Sequence, residues 1–553
     1  MPNIYHFRFV LAGALTLAST TATAQVRLDR ADPTITEQAL PLPKPVARPD
    51  VVTSRASLAA KPITATASTA RTVTAIEIVG RTALSPALFS PTYAPYLGRP
   101  LSRDQLAELA GKIAATARAQ GYPLATASIE PSDSKDGVLK VALDDGRVDA
   151  VRVIGATSPA ADAILTNALV TDHAVRRSDL ERAIGLVSDL PGVIVTESRL
   201  LQENGFNILL VTIGFDRVSA YAQFDNRGSD EVGPVRSTMI ANVRGLAQSG
   251  DELTLIAAQT PFQPSEFFFL RGRYSAPVGH AGGVLSASAS YGRSKPGASL
   301  KPLDVIGRSV DVAVSYSNPI VRSRTRSLWG ALEFRAIKVD QDLAGARLRD
   351  DRLATLTGSL NGTSIVPLGT LRGELGLVAG LPLDGVSHEN DPRTSRSDGD
   401  ARFVAATYAV DWTAHLAKRL NLVLASAGQI ASRPLLATME IGAGGPAFGR
   451  GYDYAERTGD NGVLGSAEVR ADAGRIVPGW IDRLQVYGFF DGGYVDNLRN
   501  GFGGGSLLST GGGARLGTGR LDGMVEIALP MNADRFDTGD RSPRISLRIA
   551  RSF

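Results

Sequence analysis

From Val218 to the C-terminus the chain alternates apolar and polar residues with a period of two, which constrains its fold more than any other feature. In VLSASASYG, Leu285, Ala287, Ala289 and Tyr291 share one face, while Ser286, Ser288 and Ser290 share the other. Around VDVAVSY, Val310, Val312, Val314 and Tyr316 oppose Asp311, Ala313 and Ser315; further on, Leu371, Leu375 and Leu377 oppose Arg372 and Glu374. One such strand fits a soluble sandwich equally well. Number and asymmetry discriminate: about sixteen segments of roughly 9–14 residues are joined alternately by longer polar connections and short turns, the pattern of a transmembrane barrel. Ser294–Arg308, Val339–Asp351 and Leu383–Asp400 read as long connections, Leu246–Asp251 and Gly517–Arg520 as turns. The last strand ends with Ile545, Leu547, Ile549 and Phe553 on one face and Ser546, Arg548, Ala550 and Ser552 on the other. Arg551 interrupts the apolar face only at the interface, where an arginine costs about 0–1 kcal/mol.

The other end sets the compartment. Phe9–Ala18 is apolar but too short to span a bilayer; it follows His6 and Arg8 and precedes Ala22-Thr23-Ala24. This reads as a signal peptide over residues 1–24, with a mature chain from Gln25. An exported chain with no cysteine among its 553 residues has no disulfide scaffold, thiolate metal site or cysteine nucleophile. The five histidines (His6, His173, His280, His388 and His415) lack metal-ligand spacing, so neither metal nor cofactor is expected. A net charge of +4 without a lysine-rich run argues against nucleic acid as a partner. Enzyme signatures are missing as well. There is no G-x-S-x-G, no H-E-x-x-H and no paired-carboxylate constellation, and GAGGPAFG (Gly442–Gly449) lacks the Lys-Ser/Thr of a phosphate loop.

Between these ends lie a tether and two similar modules. Residues 25–71 are rich in Pro, Ala and Thr around PLPKPVARP, an extended tether in which a short helix near Asp32–Leu40 would be marginal alone. Residues 72–148 give a strand (Thr72–Val79), a helix opening on the capping box Ser102/Gln105 and ending at Gly121, then strands Leu124–Glu130 and Val138–Asp144. Residues 149–217 repeat the plan: strand Asp149–Ile154, helix Ala160–Leu169, a second capping box Ser178/Glu181, and strands Val193–Leu200 and Asn207–Ile213. The expected architecture is therefore two α+β modules followed by a transmembrane β-barrel over 218–553, entirely antiparallel.

One loop stands out within the barrel. Residues 434–462 hold FGRGYDYAERTGDNG, where Arg450 sits between Gly449 and Gly451 and beside Tyr452. A loop this long either extends outward or folds into the lumen. If it folds in, its cation needs a receiver. In LQVYGFFDGGY, Leu484, Val486, Gly488 and Phe490 have lipid-facing parity, which turns Gln485, Tyr487, Phe489 and Asp491 inward. Asp491 is thus one receiver, and Glu468, with the same parity as Ser466 and Arg470, is the second. Residue types alone leave open a solvated arginine on an outer loop.

These residues carry a family resemblance. The chain resembles the outer-membrane transporters of two-partner secretion, the TpsB group typified by FhaC, ShlB and HecB, within the BamA superfamily. Gly449-Arg450-Gly451-Tyr452 is similar to the family's loop motif, and Phe489-Phe490-Asp491-Gly492-Gly493 to its F-x-D-x-G partner motif. GYPLATASIEPSDSKDGVLKVALDDGRV (Gly121–Val148), DLPGVIV (Asp189–Val195) and FDNRGSDEVG (Phe224–Gly233) extend the likeness over nearly all of the mature chain. The resemblance implies two POTRA modules and a sixteen-strand barrel, with Arg450 paired to Asp491 and the loop gating the lumen. It implies export of a large unfolded β-rich partner, an adhesin or haemolysin, by a monomer seated in outer-membrane lipid of a Gram-negative bacterium. The POTRA modules would face the periplasm and could also meet chaperones there. The helix at Asp179 and the strand carrying Val193, Val195 and Leu200 would line a docking groove. Several family members have an N-terminal plug helix; here that region is short and proline-broken, so no plug is assumed. An assembly factor like BamA or TamA is the alternative, a passive porin a more distant one.

Overall fold

The computed structural model describes residues 32–38, 40, 72–129, 137–203, 206–499 and 501–553. The expected signal peptide and most of the expected tether lie outside these residues. Helix α1 (Pro33–Gln38) is a single short element. The first module then places β1 (Ala75–Arg81) parallel to β3 (Val138–Asp144), with β2 (Thr126–Ile129) antiparallel on the far side of β3. Helix α2 (Arg103–Ala119) covers one face of the sheet, burying Leu109 and Ile113 against Val141 and Leu143. It starts where expected: Ser102 Oγ accepts the Gln105 N–H at 3.3 Å, and Gln105 Oε1 accepts the Ser102 N–H at 2.9 Å.

The second module repeats the plan with β4 (Ala150–Gly155), α3 (Pro159–Leu169), α4 (Arg177–Asp189), β5 (Val193–Glu203) and β6 (Phe206–Phe215), in sheet order β4-β6-β5. The second capping box differs from expectation. Helix α4 begins at Arg177, and Asp179 rather than Glu181 closes it by accepting the Arg176 N–H at 3.3 Å. Ser178 lies inside the first turn and donates to Asp179 instead. The two modules are stitched together: Arg177 N–H donates to Gly121 O at 2.8 Å, Val175 N–H to Gly146 O at 2.9 Å, and Leu124 packs in the core of the second module.

Of the eighteen strands from β7 (Val218–Asp225) to β24 (Arg544–Ser552), sixteen close into an antiparallel barrel and the short β18 (Ile441–Ala443) and β19 (Arg457–Gly459) stand apart; β24 pairs with β7 from Arg548↔Asp225 to Ser552↔Tyr221. Closure removes the sheet edges, which a strand-built membrane span requires. No helix among the described residues is long and apolar enough to cross a membrane. The outer face is a continuous apolar surface including Val310, Val312, Val314, Leu375, Leu377, Ile545, Leu547 and Ile549, whereas Ser286, Asp311 and Ser546 are buried on the inner side. The alternation read from the sequence is this inside–outside division.

Because β7 leaves the second module directly, the short turns lie on the module side and the long loops on the opposite rim. The module seats on two of those turns. Asp189 makes a two-pronged pair with Arg322 at 2.7 and 2.9 Å, Arg182 donates to Pro319 O at 3.0 Å, and Ser158 meets Ser249 at 3.1 Å. One loop expectation changes. Val339–Asp351 is not an open connection, since β13 (Arg326–Leu343) and β14 (Ala346–Val366) run on to a two-residue turn. The charges that suggested a loop are paired near the turn: Arg308 with Asp340 and Asp342, and Arg347 with Asp342.

The helix near Asp32–Leu40 also departs from the tether reading. Helix α1 lies inside the barrel, where Glu37 accepts from the inward Ser309, Gln38 Nε2 donates to Thr438 O at 3.2 Å, and Leu40 packs with Phe267 and Phe269. A six-residue helix is unstable alone, and burial among lumen residues supplies what its length cannot.

Candidate functional site: an arginine-held loop in the lumen

Between β17 (Leu420–Ala431) and β20 (Asn461–Gly474) the loop turns inward through a short hairpin, β18 (Ile441–Ala443) with β19 (Arg457–Gly459). Its tip hangs against the wall formed by β20, β21 (Arg483–Asp496), β22 (Gly505–Thr518) and β23 (Leu521–Pro530). Two glycines shape the tip for different reasons. Gly449 has φ +84°, a conformation open to glycine, and a Cβ at Gly451 would come within 3.0 Å of Pro530 N and 3.1 Å of Ser509 Cβ. Tyr452 is fully buried beside Ala443, Leu464, Val495 and Leu507, and its hydroxyl reaches Leu508 O and Ala533 O, both at 3.2 Å.

Arg450 meets both expected receivers and a third. Nη1 donates to Glu468 Oε2 at 2.6 Å and to Glu526 Oε2 at 3.2 Å. Nε lies 3.0 Å from Asp491 Oδ2, a close ion pair whose geometry is not that of an aligned hydrogen bond. Asp491 Oδ1 accepts the backbone N–H groups of Gly449 and Arg450 at 3.0 and 3.2 Å, and the Ser509 hydroxyl as well. Asp491 therefore holds the loop by its backbone as much as by its charge. The guanidinium stacks 4.1 Å from the Phe489 ring centroid, so the inward aromatic supplies a cation–π contact. Gly493 keeps the wall close: a Cβ there would meet Leu464 Cδ2 at 2.3 Å and Val463 O at 2.6 Å.

The surrounding charges balance the cluster. Glu468 Oε1 also takes Arg515 at 2.9 Å together with Arg470, and Glu526 Oε1 takes Arg227 at 2.6 Å while Tyr487 O–H donates to Oε2 at 2.8 Å. Three buried carboxylates are shared among four arginines, Arg450 and Arg227 largely buried and Arg470 and Arg515 about 30% exposed, in one network whose members depend on one another. Sequence reasoning missed Glu526. Its inward parity with Met524 and Ala528 was readable, but an inward acid in a barrel is ordinarily only a lumen charge. Among the described residues no group of three or more His, Asp or Glu side chains is arranged to hold a metal ion.

The residues expected in a docking groove divide. Val193 and Val195 turn into the second module's core, and Leu200 packs at its margin, so these side chains line no groove. Asp179 caps α4. The strand was expected, but not which of its faces meets the helices, and a bulge between Val195 and Glu197 reverses the buried parity along it. The outward side chains are Ile194 and Leu201 on β5 and Phe206 on the adjoining β6, and β5 is one of the sheet's two edge strands.

A lipid-faced barrel fed by tandem α+β modules and holding an inward loop by a buried arginine defines a POTRA-barrel protein of the outer membrane. Residues 207–516, more than half of the chain, match the model of the haemolysin secretion/activation protein family ShlB/FhaC/HecB, and residues 71–146 match the ShlB-type POTRA domain. The chain belongs to that family, the two-partner secretion transporters, with its barrel in the outer membrane and its POTRA modules in the periplasm. The heme/hemopexin transporter protein HuxB of Haemophilus influenzae is 23% identical over 382 residues, spanning 68% of this chain and 67% of that protein. Among solved structures, CdiB from Escherichia coli has a TM-score of 0.70 at 17% identity, covering 87% of this chain and 90% of its own. CdiB from Acinetobacter baumannii has a TM-score of 0.63 at 17% identity, covering 97% and 98%.

Proposed function

We propose that this transporter exports a large, unfolded, β-rich partner of the adhesin or haemolysin type from the periplasm to the cell surface. The second POTRA module receives an extended segment of the partner along edge strand β5, beside the outward Ile194, Leu201 and Phe206. The loop held by Arg450 narrows the lumen at rest, and displacement of its tip opens the conduit. One observation carries this reading: a single loop cation is bound at once by carboxylates from β20, β21 and β23, an anchor strong enough to hold a long loop inside a barrel. The sequence carries no phosphate-loop motif, and folding of the partner outside supplies direction.

The test is co-expression with a candidate partner protein and assay of the medium. Partner in the medium only when the transporter is present supports the reading. Partner retained in the periplasm, with other outer-membrane barrels assembling poorly in cells lacking this chain, would instead assign it to membrane assembly, the role of BamA-type proteins.

A further inference from the structure

A second buried arginine serves the same loop at its other end. Arg396 lies in the connection between β15 (Gly369–Gly380) and β16 (Val404–Ala417), on the rim opposite the POTRA modules. Its Nη1 donates to Asp460 Oδ2 at 2.8 Å and to Glu440 Oε1 at 3.2 Å, and its Nε to Asp398 Oδ1 at 2.7 Å. Glu440 immediately precedes β18 and Asp460 immediately follows β19. One guanidinium therefore joins both legs of the lumen loop at its root. Asp460 is fully buried and also accepts the N–H groups of Leu435 and Leu498 at 2.6 and 2.7 Å. Arg396 Nη1 reaches Asn497 at 3.2 Å, so the connection after β21 joins the same knot. Beside it Leu435, Leu436, Val386, Ala401 and Phe403 form an apolar core of their own.

We infer that Arg396 is a positioning residue that fixes the root of the loop, so that the loop opens by swinging its tip from an immobile base. This rests on the gating role proposed above. Both ends are held by buried ion pairs and apolar packing, but to different partners. The root is tied to two neighbouring rim loops, through Arg396 on one side and Asn497 and Leu498 on the other. The tip, residues 444–456, holds the wall through Arg450, Tyr452 and the Asp453–Arg544 pair, around turns in which Gly444 and Gly445 adopt φ +105° and +97°. Displacing the tip therefore breaks contacts to the barrel wall and leaves the knot at the rim intact.

The chain has no cysteine, so two engineered disulfides separate the cases in purified full-length protein. Ser395→Cys with Ala437→Cys ties the root, where the Ala437 N–H now donates to Ser395 Oγ at 3.0 Å. Gly451→Cys with Ser509→Cys ties the tip, where the Cβ positions lie 3.1 Å apart and a disulfide needs a small outward shift to about 3.8 Å. Single-channel current in planar lipid bilayers is the readout, each protein compared with itself oxidised and reduced. Openings should persist in the oxidised root variant and vanish in the oxidised tip variant, returning with reductant. Loss of openings on root oxidation would overturn the fixed root while leaving the gate standing. Unchanged openings on tip oxidation would overturn the gate itself. Arg396→Lys supplies a cation without the fork that spans both legs, and should lengthen open times. Open times equal to those of the parent would show that Arg396 does not position the loop.

Discussion

Asp491 grips Arg450 from two sides: Oδ1 takes the backbone N–H groups of Gly449 and Arg450, while Oδ2 lies 3.0 Å from the guanidinium Nε. The carboxylate thus fixes the path of the loop tip as well as its charge. Replacing Arg450 by Ala leaves the buried Asp491 its backbone donors but takes away its cation, while Glu468 keeps Arg515 and Arg470 and Glu526 keeps Arg227. Breaking a buried pair in this way costs on the order of 3–5 kcal/mol. The barrel itself is held by sixteen strand pairings that the substitution does not touch. Arg450→Ala is therefore expected to reduce partner secretion while the barrel remains heat-modifiable on gels. Unchanged export at normal protein level would remove the loop from the mechanism.

Glu526 is predicted to matter as much as Asp491, although it lies outside the two sequence motifs. Its carboxylate is shared by Arg450, Arg227 and Tyr487. Glu526→Gln keeps the shape but removes the charge, and should increase leakage of large antibiotics through the membrane. Combined with Arg450→Ala, the leak should fall short of the sum of the single effects, because contacting residues in one network are not additive. A fully additive double variant would place Glu526 outside the anchor.

Much of this anchor was legible in the sequence, for a physical reason. Strand parity is local, so inward-facing Asp491, Phe489 and Glu468 followed from alternation alone. Glu526 did not, because its meeting with Arg450 depends on how the barrel curves and how far the loop tip descends. Helix α1 was readable only as a marginal helix; its place in the lumen comes from contacts with Ser309, Thr438 and Phe267 that no local propensity encodes. Val193 and Val195 were assigned to a docking groove through the resemblance, and which face of their strand is buried depends on how the helices pack on the sheet. The Arg396 knot joins three loops far apart in sequence, and nothing in the spacing of Glu440 and Asp460 announces a common partner.

Gly493 tests how closely loop and wall must pack. Its added methyl in Gly493→Ala would press Val463 O, a backbone atom that cannot rotate away, as well as the flexible end of Leu464. Overpacking of this kind costs about 1–3 kcal/mol. The strain falls between β20 and β21, the strands that carry Glu468 and Asp491. The expected result is a lower unfolding temperature of the barrel together with more frequent channel opening. A lower unfolding temperature with unaltered gating would confine Gly493 to stability.

The seat of the second POTRA module should be sensitive to acid. Asp251, in the periplasmic turn that presents Ser249 to Ser158, is desolvated, which would raise its pKa. The Tyr274 hydroxyl and the N–H groups of Gln248, Ala247 and Leu246 stabilise the carboxylate more strongly and hold the pKa down at about 2. A group depressed on folding contributes its stability above its unfolded value, near 3.9 for an aspartate, and loses it as pH falls through the folded value. The turn should therefore protect its amides from exchange down to about pH 4 and lose protection toward about pH 2. Asp251→Asn removes that dependence, giving weaker protection at neutral pH and little further change on acidification. Asp189→Ala acts on the same seat by leaving the buried Arg322 unpaired, at a cost on the order of 3–5 kcal/mol. It should free the module at every pH, read as new proteolysis where the module meets the barrel turns. A turn whose protection in Asp251→Asn still fell with acid would show that another group carries the titration.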